Sequence, residues 1–251
     1  MAGFWERRGK LVVLLTLMFL VAALIIVSML LPWYEIDSYD KHYYHPYTAD
    51  TFNTTSTIFR FSGIWKETDC DYACYGIIHH NSDVVQRQGW EDYAGEHPGS
   101  MLPDLYIETE GLLISGLILM VPGVAFLLLG LVGRNCLLWG ALFFVAALIV
   151  DLIAVLAFSA LHPMAYKDTF YIEDKEVPAG PNSIIYGNVD DDYTYHYSWN
   201  NRGNYPDDVP AYQSLRWGPG DGWYLAIAGI LLFIPCAAIL THLARVDERG
   251  R

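Results

Sequence analysis

The chain has 251 residues, of which 53% are hydrophobic and only 17% charged, against roughly 25% charged in an average soluble domain. The apolar residues are concentrated in four blocks that hold almost no charge, which excludes a soluble globular enzyme, a disordered chain and a collagen-like fibre. The formal net charge of −13 is the wrong sign for binding a phosphate backbone and argues against a nucleic-acid partner.

The first block, 11–32, follows a short tail (1–10) carrying Arg7, Arg8 and Lys10. It is longer than the 7–15 apolar residues of a signal peptide, and Met29-Leu30-Leu31-Pro32 offers no small-residue cleavage site, so an uncleaved anchor is expected. The other blocks are 111–133, 137–161 and 223–243. At 1.5 Å per residue each is about 31–38 Å long, enough for a hydrocarbon core of about 30 Å. Helix is the expected form, because an open strand would leave backbone groups unpaired in lipid.

The first long loop, 33–110, has period-2 alternation at 57–61, which predicts a strand. Cys70 and Cys74 are the only cysteines of the outer region. Their three-residue spacing suits a tight hairpin staple, and a disulfide is the expectation. His42 and His45, and the pair His79 and His80, are candidate copper or zinc ligands, with ordinary surface histidines as the plainer alternative. Asn53-Thr54-Thr55 is a glycosylation acceptor pattern.

The second block places Gly116, Gly123 and Gly130 at intervals of seven, and the third places Gly140, Ala147 and Ala154 likewise. The turn 134–136 between them is so short that these helices must be antiparallel neighbours. Symmetric pairing sets 130 against 140, 123 against 147 and 116 against 154, two small-residue stripes that let backbones approach. Asp151 shares the face of Ala147 and Ala154 and is aimed at the second helix near Leu119. A central carboxyl costs at least ~2.5–3.5 kcal/mol on insertion scales. It is expected either to carry a proton or to bond a hydroxyl or a carbonyl freed by Pro122. A proton or cation relay is the functional alternative to an interhelical hydrogen bond.

The second long loop, 162–222, shows strand-like alternation at 193–199 and weaker candidates at 168–174 and 184–188. Asn188, Asp190 and Asp192 alternate as calcium-loop oxygens do, but the glycine and distal Glu of an EF-hand are absent, so a solvated acidic turn is expected and calcium is the alternative. The two loops hold or border all 18 tyrosines and are too aromatic for plain linkers. The expected fold is a four-helix membrane bundle with an extracellular antiparallel sheet built from both loops and sitting on the bundle. Cys136 and Cys236, toward the other ends of the spans, are read as packing residues.

Charge sets the orientation. Both tails and the tight turn carry seven basic and three acidic residues, whereas the two long loops carry eight basic and 24 acidic. By the positive-inside rule both termini face the cytoplasm. Trp33 and Trp223 then mark the outer boundary, and Trp5 and Trp139 the inner one.

One motif remains. The first block ends Leu31-Pro32-Trp33, and its loop continues with Gly63-Ile64-Trp65 and then Cys70 and Cys74. This pattern resembles the claudin and peripheral-myelin-protein superfamily, whose first outer loop has a Trp after the first helix, then Gly-Leu-Trp, then two disulfide-bonded cysteines. The resemblance implies a left-handed four-helix bundle capped by an antiparallel sheet. It implies Trp33 at the membrane edge of the sheet, Gly63, Ile64 and Trp65 on a sheet strand, and a Cys70–Cys74 staple. The cysteines stand closer together than in that family, Cys70 is further from Trp65, and the second loop is much longer. Tetraspanins share the span count but their Cys-Cys-Gly motif is missing here.

No phosphate loop, nucleophile elbow, zincin helix or paired catalytic carboxylates occur. Their absence removes any warrant for naming an enzyme class, and with the aromatic outer loops and the claudin-like pattern the expected function is non-enzymatic. The chain is expected to be a multi-pass protein of the cell membrane, surrounded by lipid, whose outer sheet binds other membrane proteins or a second copy of itself. The alternatives are a cation-selective transport component and a metal-binding subunit carrying calcium, copper or zinc on its outer face.

Overall fold

The structure, a computed structural model, describes residues 2–42, 51–71, 84–133, 136–170, 187–196 and 208–249. In chain order the elements are α1 (Ala2–Leu30), β1 (Tyr34–His42), β2 (Thr51–Arg60), β3 (Gly63–Asp71), β4 (Val84–Gln88), α2 (Trp90–Glu96), α3 (Leu102–Leu131), α4 (Leu137–Phe170), β5 (Gly187–His196), β6 (Asp208–Pro219) and α5 (Asp221–Arg249). They divide into two compact units. One is helical (Met1–Pro32, Asp104–His162, Asp221–Arg251); the other holds the strands (Trp33–Pro103, Pro163–Gly220).

Four helices are long and apolar enough to cross a membrane, over Arg8–Leu30, Leu102–Leu131, Leu137–Ala165 and Asp221–Val246. Between 28% and 39% of each apolar window is buried inside the protein. The outward remainder includes Phe19, Ile118, Leu156 and Leu231. Water does not tolerate apolar surface on that scale, whereas lipid makes it free. The chain therefore reads as a multi-pass membrane protein.

The buried residues of the four helices follow one rule. On α1 they are Leu11, Leu14, Met18, Val21, Ile25 and Ser28, alternating steps of three and four. The seam of α3 repeats it from Tyr106 through Thr109, Leu113, Gly116, Met120, Gly123 and Leu127 to Gly130, and that of α4 from Leu137 through Gly140, Phe144, Ala147, Asp151 and Ala154 to Phe158. A 3–4 repeat is the signature of left-handed knobs-into-holes packing.

The α3–α4 seam corrects the symmetric pairing of small residues. A Cβ on Gly116 would meet Asp151, one on Gly123 would meet the Phe144 ring, and one on Gly130 would meet Leu137. Each glycine thus receives a larger side chain, three residues short of the alanine or glycine expected opposite it. The physical reason is volume. Glycine against alanine leaves a void on both helices, whereas glycine against Phe or Leu fills the notch to interior density. The small positions of α4 serve differently: at Gly140 the α3 backbone comes within van der Waals range, with Gly123 O 3.4 Å from where a Cβ would stand.

Helix α3 starts ahead of its apolar run. Ser100 Oγ accepts from Leu102 N (3.2 Å), and Pro103 follows in the first turn, where a missing N–H costs nothing. Helix α4 runs through to Phe170, so the strand expected at 168–174 is helical over Asp168–Phe170 and otherwise lies outside the described residues.

The strand unit is a six-stranded, wholly antiparallel sheet in the order β4-β3-β2-β1-β6-β5. Both long loops contribute, and the pairing of β1 with β6 joins them. Pairing runs from Tyr34 against Pro219 to His42 against Ala211. Gly220 N donating to Trp33 O (3.1 Å) continues that ladder by one step. Alternation in β1 buries Tyr34 and Ile36 and leaves Asp37 exposed. Tyr34 and Ile36 share their face with Phe59, Ile64 and Trp217, all buried. The expected acidic turn at 188–192 is instead part of β5.

Candidate functional site

Asp151 is the middle residue of the span Leu137–Ala165 and is completely buried. It occupies a core position of the heptad on α4, where leucine or alanine is the ordinary occupant. Gly116, itself near the middle of α3, supplies the room: a methyl there would overlap the Asp151 carboxylate. The direction of the other helices follows from their contacts. Phe144 meets Phe233 edge-on (ring centroids 6.1 Å apart), and Trp223 Nε1 donates to Ser159 Oγ (2.9 Å), so α4 and α5 run antiparallel. A Cβ on Gly229 would contact Ile25 and Leu24, and Gly222 N donates to Pro32 O (2.7 Å), so α1 and α5 run antiparallel as well. The Asp151 carboxyl stands directly over the Gly116 backbone. Ser28 Oγ donates to its own helix at Ile25 O (2.7 Å). Neither Asp151 oxygen has a hydrogen-bond partner among the described residues. The expected bond to a hydroxyl or to a carbonyl freed by Pro122 is not formed.

Nearer one end of the same unit is a pair that the sequence reading missed. His162, assigned there to the loop boundary, is fully buried in α4, and Tyr106 Oη lies 3.2 Å from its Nε2. Phe158 packs edge-on against the Tyr106 ring at 5.2 Å and lies 5.0 Å from the His162 ring. Once Gly116 is matched to Asp151, the same register brings 106 to 161, one residue from His162. That match is the signal that could have found the pair.

In the strand unit, Gly63 opens β3 with φ +135°, and a Cβ there would run into the backbone carbonyl of Gln88. Only glycine fits a position that is both left-handed and in contact with a neighbouring strand. Ile64 then points to the buried face and Trp65 to the other. The guanidinium carbons of Arg60 and Arg87 lie 4.2 and 4.1 Å from the Trp65 ring centroid. One row across the sheet runs Asn188, Arg216, Asp37, Ser56, Glu67, Val85. Within it Ser56 Oγ donates to Asp37 Oδ1 (2.7 Å). This face therefore mixes both charge signs, although the loops as a whole are strongly acidic.

Among the described residues the remaining sequence candidates form no cluster. Trp33 is fully buried against Phe61, with ring centroids 4.7 Å apart, and its N–H donates to Phe59 O (2.9 Å). Cys70 sits on β3 opposite Asn53, and its expected partner Cys74 lies outside the described residues, as do His45, His79 and His80. Asp190 and Asp192 lie along β5 opposite Ser214 and Tyr212. A strand advances about 3.3 Å per residue, so it spreads them out instead of wrapping them round one ion as a calcium loop does. Among the described residues no three His, Cys, Asp or Glu side chains group to hold a metal. No family model matches the chain, and no curated protein matches it.

Proposed function

We propose that this is a non-enzymatic, claudin-like protein of the cell membrane, with both termini in the cytoplasm and the sheet outside. In this proposal it works by protein–protein contact through the sheet, with a second copy or as an accessory subunit of a larger membrane assembly. The supporting observation is the pairing of β1 with β6, which makes one sheet from two separate loops. A cell that needed only four anchored helices would not require loops of 78 and 61 residues whose strands pair in one sheet. The surface itself suits recognition. Asp37, Glu67, Arg87 and Arg216 are exposed and carry both signs, and Arg87 lies over the Trp65 ring. Arg and Trp are the residues that anchor interfaces, and a mixed-charge face selects its partner by complementarity. The short edge strand β4 offers five residues for adding a strand from another chain.

The test is chemical crosslinking at native abundance, followed by purification in mild detergent. The proposal expects a stoichiometric partner or a second copy, joined through the loops and weakened by reversing the charges at Glu67 and Arg87. Recovery of monomer alone would count against it.

A further inference from the structure

We propose that Asp151, in the notch left by Gly116, is a proton-binding site at the centre of the helical unit, where a carboxyl takes a proton from water and returns it. This does not depend on what the sheet binds. A carboxyl kept to tie helices together would be bonded across the seam, but neither oxygen has a partner among the described residues. The hydroxyls of the buried seam residues Ser28 and Thr109 are engaged within their own helices, with Ile25 O and Leu105 O, each at 2.7 Å.

A metal ligand would need company. Calcium takes six to eight oxygens and zinc four ligands. Gly116 offers no side-chain donor, and no group of three ligating residues exists among the described residues. A bare carboxylate in an apolar interior costs far more than helix packing returns. The cation that neutralises a lone carboxyl without further ligands is the proton.

No other ionisable side chain faces it. The stretches Leu11–Ser28 of α1, Leu113–Leu127 of α3 and Ala226–Phe233 of α5 contain none. On α4 the nearest is His162, three turns away and engaged with Tyr106. Leucine at 151 would satisfy the heptad at no electrostatic cost. A position where an acid stands fully buried in a notch left by a glycine and without a bond is one whose chemistry is the exchange of its proton.

The test is infrared difference spectroscopy of the full chain in phosphatidylcholine vesicles. The proposal expects a protonated-carboxyl band that shifts on transfer to D2O, changes amplitude with bulk pH, and is absent in Asp151→Asn. A band that ignores both D2O and bulk pH would overturn it, as would no such band at all. If Asp151→Asn fails to assemble, the wild-type response to D2O and pH decides alone.

Discussion

The carboxylate of Asp151 stands over the backbone of Gly116 with no space for a methyl group between them. The acid and the glycine are therefore one feature, and their substitutions should not add. Gly116→Ala is expected to cost about 1–3 kcal/mol, the usual price of overpacking a closed seam. Asp151→Ala in that background should recover most of the loss. Unfolding of the four variants in detergent measures the coupling, and simple additivity would show that the two sites do not touch.

Gly63 makes a sharper demand than Gly133. Both have positive φ, but a Cβ on Gly133 meets nothing within 4 Å, whereas one on Gly63 meets the Gln88 backbone. Gly133→Ala should cost about 1–2 kcal/mol of backbone strain, and Gly63→Ala about 3 kcal/mol or more. Tryptophan fluorescence of the strand unit during denaturation reads the second directly. Equal losses at the two positions would refute the close approach of β3 and β4.

Tyr106 and His162 form a buried hydrogen bond at 3.2 Å. Tyr106→Phe keeps the ring and removes the hydroxyl, leaving a buried imidazole nitrogen unsatisfied at a cost of about 1–3 kcal/mol. Replacing both, Tyr106→Phe with His162→Leu, should be milder than Tyr106→Phe alone. Thermal unfolding of the single and double variants separates these outcomes.

Arg87 and Arg60 each lie within about 4 Å of the Trp65 ring centroid. Arg87→Ala should destabilise the strand unit by about 0.5–1 kcal/mol, the range for an exposed cation–π contact. In a Trp65→Leu background the same substitution should have little further effect. An unchanged Arg87→Ala penalty in that background would assign the arginine's contribution to some other contact.

Hydropathy made the four spans legible, because 20 uncharged apolar residues have few other fates. Alternation made the C-terminal parts of β2 and β5 legible too, since 57–60 and 193–196 repeat with period two. The heptad seams were hidden, except at the glycines. In a helix that is apolar all round, the residues facing lipid and those facing the core, Ile118 and Met120 for instance, are chemically alike. For that reason the antiparallel pairing of α3 and α4 could be read but its register could not. A side chain's size, which decides whether Gly123 receives Ala147 or Phe144, carries no periodic signal of its own. The acidic run at 190–192 misled for a different reason. Strand propensity is weak in aspartates, and pairing with β6 overrides it.

The central claim is that lipid surrounds four helices and that the segments on either side of α3–α4 share one face of the membrane. Trypsin added to sealed, right-side-out vesicles, with the peptides identified by mass spectrometry, tests it most directly. The account predicts cleavage within both 33–110 and 162–222, with the tails at 1–10 and 244–251 protected until the vesicles are opened. Cleavage of one long segment and protection of the other, or loss of the tails from intact vesicles, would contradict it.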